Sequence, residues 1–319
     1  MQKTKIGWCD YTSNPLYVTR KSDGKRGWAC TRVSPGCQHC HSERINQRLG
    51  TGLEFTKSSE DQIDWVLDPA ELEVLQRRGK GVRIFVGDMT DIFHDQVSNE
   101  QLAILFGALT LARALQIQLL TKRPQRLYEW TQWVKTSADA EGEDYLGRWC
   151  VAQYFTWAHR ETVKSQHIPL HVSGLSFIPE HIWIGISAED QPRFDERWPW
   201  LAKVPCHRFL AYEPMLGPLT LSMPDVGEVA DINHSYPSAN PDEWDDWKYA
   251  HAQQHGLHWL IAGGESGPRY RGMDLKWLRS IVNQSKALRI PCFVKQDSHS
   301  FPGRQGRISD ALWGIKEWP

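Results

Sequence analysis

Short, nearly continuous apolar runs alternate along the chain with stretches of helical period. The runs are KIGWCDYT (5–12), VRIFVGDM (82–89), QIQLLTKR (116–123), IWIGISAE (182–189), HRFLAYEP (207–214), HWLIAGGE (258–265) and PCFVKQ (291–296). A parallel strand covered on both faces needs such continuity, whereas a half-exposed strand alternates. Between the runs, Ser98 and Gln101 form a capping box, and Leu102, Leu105, Leu109 and Ala112 repeat on one face behind it. Asp274 caps a second helix with an apolar stripe of Leu275, Leu278 and Val282, and a third spans Ser42 to Leu49 and stops at Gly50. This alternation predicts a parallel α/β fold, as an open sheet or as a full or partial (β/α) barrel.

Two stretches break the rhythm. Residues 139–178 and 224–256 are polar, aromatic and irregular, and read as insertions in a single domain spanning 1–319. Excursions of that length are lids, substrate loops or plain surface loops.

The chain has 40% hydrophobic and 24% charged residues, and its 37 Lys+Arg against 38 Asp+Glu nearly cancel. Any nucleic-acid contact must therefore be a local patch. The 16 tryptophans serve either packing or base stacking. The N-terminal MQKTKIGWCDYTSNP lacks an apolar core, and no window approaches about eighteen apolar residues, so a soluble, cytoplasmic protein without membrane contact is expected.

The apolar runs end in polar residues and glycines: Cys9-Asp10, Gly87-Asp88, Lys122-Arg123, Ser187 with Glu189, Glu213, Gly263-Gly264-Glu265-Ser266 and Lys295-Gln296. The carboxyl ends of parallel strands form the functional face of such folds, so these residues predict a pocket for a polar, partly anionic ligand.

Seven cysteines are present, and Cys30, Cys37 and Cys40 cluster with His39 and His41 in ACTRVSPGCQHCH. Cys9, Cys150, Cys206 and Cys292 read as packed thiols. In a reducing compartment the cluster points to metal or catalysis rather than to a disulfide framework. CQHCH matches a c-type haem attachment pattern, but that chemistry needs export. Cys37 and Cys40 make a zinc half-site that Cys30, His39 or His41 would complete, yet no second ligand pair is evident. Three sulfurs on one loop also suit three corners of a 4Fe–4S cube whose fourth iron stays open. Asp91, His94 and Asp95 form either a small oxygen/nitrogen metal site or a helix-entry loop.

The segments VSPGCQHC, FVGDMTDIFHD, LLTKRP, IWIGISAEDQ, RFLAYEPMLGPL, LIAGGESGP and PCFVKQ resemble a phage-associated three-cysteine-motif family of unknown function (Gp37/Gp68-like) regarded as radical-SAM-like. The resemblance implies a partial (β/α) TIM-type barrel in which Cys30, Cys37 and Cys40 hold a 4Fe–4S cluster that binds S-adenosyl-L-methionine and yields a 5′-deoxyadenosyl radical. One departure stands out: six residues separate Cys30 from Cys37, where the commonest radical-SAM loop has three.

On that resemblance Gly87, Asp88, Met89 and Thr90 contact the methionine amino group. Lys122 and Arg123 neutralise its carboxylate or a substrate phosphate. Ser187 and Glu189 suit ribose hydroxyls, and Gly263, Gly264 and Ser266 contact ribose, adenine or substrate. Glu213, Glu265 and Lys295 supply catalytic groups to the pocket. The resemblance also implies a reductase or ferredoxin-type electron donor, a dedicated partner protein and a nucleic-acid or nucleoside substrate, for which TRKSDGKRGW (19–28), flanked by Tyr17, offers a basic loop ending in Trp28. Two other readings compete: a zinc-stabilised, non-catalytic interaction module, and a repair enzyme similar to DNA photoproduct lyases.

Overall fold

The computed structural model describes residues 1–143, 146–160, 178–221 and 256–319. The stretch 224–256 thus lies almost wholly outside the described residues, and 139–178 does so in part. The six apolar runs from 82 onward become strands of one eight-stranded sheet in the order β1-β2-β6-β7-β8-β9-β10-β11. These are β1 (Gln2–Lys3), β2 (Tyr11–Ser13), β6 (Val82–Val86), β7 (Leu115–Thr121), β8 (Ile182–Ser187), β9 (His207–Tyr212), β10 (Trp259–Gly263) and β11 (Cys292–Gln296). Every pairing is parallel except β1 with β2. A second, antiparallel sheet joins β3 (Leu16–Arg20), β4 (Arg26–Gly27) and β5 (Ile63–Leu67).

The large sheet is curled into a half-barrel. Trp8 shows why: its ring lies 4.9 Å from Phe85 on β6 and 6.1 Å from Trp259 on β10. Those strands are four places apart, roughly 19 Å in a flat sheet, so one indole touches both only across a concave face. Run 5–12 is therefore mostly not a strand. Trp8 and Cys9 are buried on the concave side with Phe85, Trp183, Phe209, Trp259, Ile261 and Phe293, and pairing begins only at Tyr11. Gly185 is required here, because a Cβ would meet the Phe209 ring at 2.5 Å.

Helix α1 (His41–Leu49) follows the cysteine-bearing loop at the strand ends. Helices α2 (Pro69–Arg77), α3 (Asn99–Leu111), α4 (Pro124–Ala140), α5 (Leu146–Arg160), α6 (Gln191–Ala202) and α7 (Leu275–Ala287) build the apolar core of the convex side, and the short α8 (Asp310–Trp313) packs beside β11. Both arms of the α3 capping box form: Ser98 Oγ accepts from Gln101 N, and Gln101 Oε1 accepts from Ser98 N, each at 3.1 Å. The Asp274 cap and the α1 stop at Gly50 also occur as expected. Helix α5 corrects the reading of 139–178 as irregular. Trp149, Cys150, Val151 and Tyr154 are buried against α3, where a Cβ on Gly107 would stand 2.1 Å from the Cys150 carbonyl. α3 is consequently apolar on more than one side, since Phe106, Gly107 and Thr110 are buried along with the expected stripe.

The basic stretch 17–27 is the β3–β4 hairpin, and three of its four cations are paired locally, Lys25 being left exposed. Arg20 pairs with Asp23, Lys21 with Asp64 and Arg26 with Asp68, and the Arg26 guanidinium covers the Tyr17 ring at 3.7 Å. Among the described residues no helix is long and apolar enough to cross a membrane.

Candidate functional site

The strand ends of β6, β7 and β8 open into a cleft of about 150 Å³. The loop between β4 and α1 forms one wall. It passes through a single turn at Pro35–Cys37 and enters α1 with Cys40 as the N-cap residue. Cys30, Cys37 and Cys40 all line the cleft, and so do Gly87, Asp88, Met89, Thr90, Lys122, Arg123 and Ser187. Phe55, Phe85 and Leu120 supply apolar lining. Gly87 makes the turn out of β6 in the left-handed region (φ 84°), where a Cβ would meet Ile92 at 2.8 Å.

The cysteine loop is clamped to the sheet at several strand ends. Arg123, buried after β7, donates to Thr31 Oγ1 (2.6 Å), to the Thr31 carbonyl (3.1 Å) and toward Cys30 Sγ (3.7 Å). Asp91 holds that guanidinium at 3.1 Å. Glu189, fully buried after β8, accepts from Gly36 N at 2.9 Å and from Arg197 at 3.0 Å. Glu265, after β10, pairs with Arg271 and sits 3.0 Å from His39 Nδ1, while Arg271 donates on to the Pro35 carbonyl at 3.0 Å. Ser42 Oγ donates to the Asp88 carbonyl at 2.9 Å.

The residues expected to bind ligand therefore divide. Glu189 and Glu265 do not line the cleft; they anchor the loop that does. Gly263, Gly264 and Ser266 are absent from the cleft lining too. A Cβ on Gly264 would meet Ser298 N at 2.3 Å, and Ser266 bridges to His299, so this segment serves close packing beside β11. Glu213 and Lys295 are tied to each other at 2.7 Å, with Gln296 donating to the same carboxylate at 3.1 Å. They reach the cleft only indirectly, through Ser187, whose Oγ donates to the Glu213 carbonyl at 3.1 Å.

Burial pushes the Cys30 thiol up to about 11, against the pull of Arg123. Burial also raises the Asp88 carboxyl, although the Asn14 amide, 2.6 Å away, and Thr12 oppose the shift. Among the described residues Asp88 and Lys122 form no close ion pair, although the Lys122 charge reaches the Glu189 carboxylate. Thr90 Oγ1 is buried without a hydrogen-bond partner, and Thr90 lines the cleft. Thiols on one wall, an unpartnered hydroxyl, a buried carboxyl and a lysine without a close ion pair fit, in donor chemistry, a thiolate-bound iron–sulfur group with a zwitterionic ligand. The sulfurs themselves are not drawn together: no group of three or more His, Cys, Asp or Glu among the described residues is arranged to hold a metal ion.

The trio Asp91, His94 and Asp95 is a helix-entry loop. Asp91 accepts from Thr121, Lys122 N and Arg123, and the His94 ring faces Thr31 and Glu60. Burial, with Arg123 nearby, lowers His94 from 6.5 to about 4. The fold keeps the ring neutral while the unfolded chain protonates it, so stability is full above pH 6.5 and falls as pH drops toward 4. The loss amounts to roughly 3 kcal/mol at most. Urea unfolding at pH 7.5 and 5.0 should show a shallower pH dependence for His94→Gln than for the wild type; equal slopes would refute the assignment.

Reading the sequence missed three supports: Asn14, which also accepts from Met89 N at 3.1 Å, Arg197 and Arg271. Asn14 lies just beyond β2, where a side-chain amide often closes a turn. No local signal marks the two arginines, whose roles depend on distant partners.

Residues 3–311 match the model of a family described as a protein of unknown function (DUF5131). No curated protein and no solved structure matches the chain.

Proposed function

We propose that this chain, which belongs to the DUF5131 family, is a radical S-adenosylmethionine enzyme acting on a polar substrate of nucleoside or nucleic-acid type. The observation that carries the reading is the shared cleft: three thiols of one loop face the Gly87–Thr90 turn and Lys122 at the carboxyl ends of parallel strands. The reading takes the half-barrel as a partial TIM-type, radical-SAM-like barrel, and it retains the likeness to phage three-cysteine proteins, a cytoplasmic location and a reductase or ferredoxin-type electron donor.

When bound, a 4Fe–4S cluster with S-adenosylmethionine would supply one-electron cleavage of the sulfonium and a 5′-deoxyadenosyl radical. Cys30, Cys37 and Cys40 would hold the cluster. Arg123 offsets the negative charge gathered at Cys30, and Asp91 keeps that guanidinium in place. Asp88 would accept from the ligand ammonium, Lys122 would be the cation for its carboxylate, and the Thr90 hydroxyl would gain the partner it lacks. Gly87 leaves the backbone bare for close approach. Phe55, Phe85 and Leu120 limit water around the reacting atoms. Glu213 and Lys295, reached through Ser187, would be available to exchange a proton with a substrate.

The test is anaerobic reconstitution. About four irons per chain and 5′-deoxyadenosine formed on adding S-adenosylmethionine and a reductant are expected. A colourless, zinc-loaded protein that forms no 5′-deoxyadenosine would refute the reading in favour of a non-catalytic module. Product analysis on ultraviolet-damaged DNA separates a repair lyase from other radical chemistry.

A further inference from the structure

Beyond the Glu265–Arg271 anchor lies a surface that the cleft does not use. Tyr270 and His299 are stacked, 6.3 Å apart at 13°, and Phe301 follows 6.0 Å from His299. Tyr270 is 41% and Phe301 61% exposed. Backbone bonds hold the row together: Gly267 N donates to the His299 carbonyl at 3.0 Å, and Tyr270 N to the Gly267 carbonyl at 3.3 Å. Phe301 N donates to His299 Nδ1 at 3.0 Å.

Arginines surround the row. Arg304 lies over Phe301 at 6.0 Å, and Arg44 is packed so closely on Gly267 that a Cβ there would meet its guanidinium at 2.7 Å. Arg269 is exposed in the left-handed backbone region (φ 62°), a conformation that costs free energy for a non-glycine residue. Arg44, Arg269 and Arg304 have no carboxylate partner among the described residues, whereas Arg271 and Arg307 are paired with Glu265 and Asp297. In a chain of net charge −1, three uncompensated arginines beside exposed rings are a local concentration of cation and π-surface.

We propose that this surface binds single-stranded nucleic acid. Bases would stack on Tyr270 and Phe301, and phosphates would meet Arg44, Arg269 and Arg304. A duplex keeps its bases stacked internally and cannot use the rings. A strand seated there runs beside the cysteine loop, because Glu265 bonds both Arg271 and His39. The assignment does not rest on the cluster reading.

Fluorescence anisotropy of the full chain with labelled oligo(dT), oligo(U), a DNA duplex and polyglutamate tests it. Either single strand should bind more tightly than duplex or polyglutamate. Phe301→Ala and Tyr270→Ala should each weaken binding roughly tenfold. Arg269→Glu and Arg304→Glu should flatten the salt dependence, while Lys80→Glu, an exposed charge reversal just before β6 at the opposite end of the strands, binds as the wild type. Equal affinity for duplex or polyglutamate overturns the proposal, as do folded ring variants that bind like the wild type. Loss of binding in Lys80→Glu to the same degree as in the arginine variants would show that general surface charge holds the strand, and overturns it too.

Discussion

Glu189→Gln should lower the free energy of unfolding by about 3–5 kcal/mol, the usual cost of leaving a buried charge without its partner. Glu189 is fully buried, Arg197 is 2% exposed, and they meet at 3.0 Å. Burial alone would raise the carboxyl, but bonds from Ser34, Arg197 and Gly36 N hold it below its ordinary 4.5, so its contribution is intact above that value and declines only in more acid solution. The amide keeps the shape and strands the guanidinium. A second consequence separates this pair from an ordinary core ion pair. Glutamine offers one acceptor oxygen where the carboxylate offered two, so Gly36 N and Arg197 must compete for it, and the cysteine loop should become the first site of proteolytic nicking under native conditions. Urea unfolding and limited proteolysis read the two effects independently, and Glu189→Gln with Arg197→Met should recover much of the stability. A single variant within about 1 kcal/mol of the wild type, with an uncut loop, would show that Glu189 anchors nothing.

That anchor was visible in the sequence only as a polar strand end. The strands themselves were legible, because burial on both faces leaves no room for alternation: Ile182–Ser187 is buried along its whole length. The capping box before α3 was legible because its partners are three residues apart. What stayed hidden depends on separation. Gly36 and Glu189 are 153 residues apart, and His39 and Glu265 are 226 apart. A carboxylate that braces a loop looks the same in sequence as one that faces a ligand. Trp8 misled for a related reason. Its run has the composition of a strand, and only the curl of the sheet creates the concave space that the indole fills. The 17–27 segment read as a basic loop because its neutralising partners Asp64 and Asp68 arrive from β5 and the cap of α2.

Cys37→Ala should reduce the iron bound after anaerobic reconstitution from about four per chain to near none, and abolish 5′-deoxyadenosine formation. Of the three loop thiols it is the cleanest to remove. Cys30 is engaged by Arg123, and Cys40 stands at the N-cap of α1. Among the described residues the Cys37 Sγ hydrogen-bond contact is a long one, 3.9 Å to Ser34 Oγ. Its loss should therefore change stability by no more than about 0.5 kcal/mol, and missing iron would report lost ligation rather than lost folding. Cys150→Ala is the control, since that thiol is buried between α3 and α5, away from the cleft. It should keep its iron even if its unfolding midpoint falls. The comparison depends on placement, not on cysteine count: two thiols of one chain, one on the cleft wall and one in the helical layer, must differ in metal and agree in fold. Full iron in Cys37→Ala, or equal loss in both variants, would leave the shared cleft without the chemistry assigned to it.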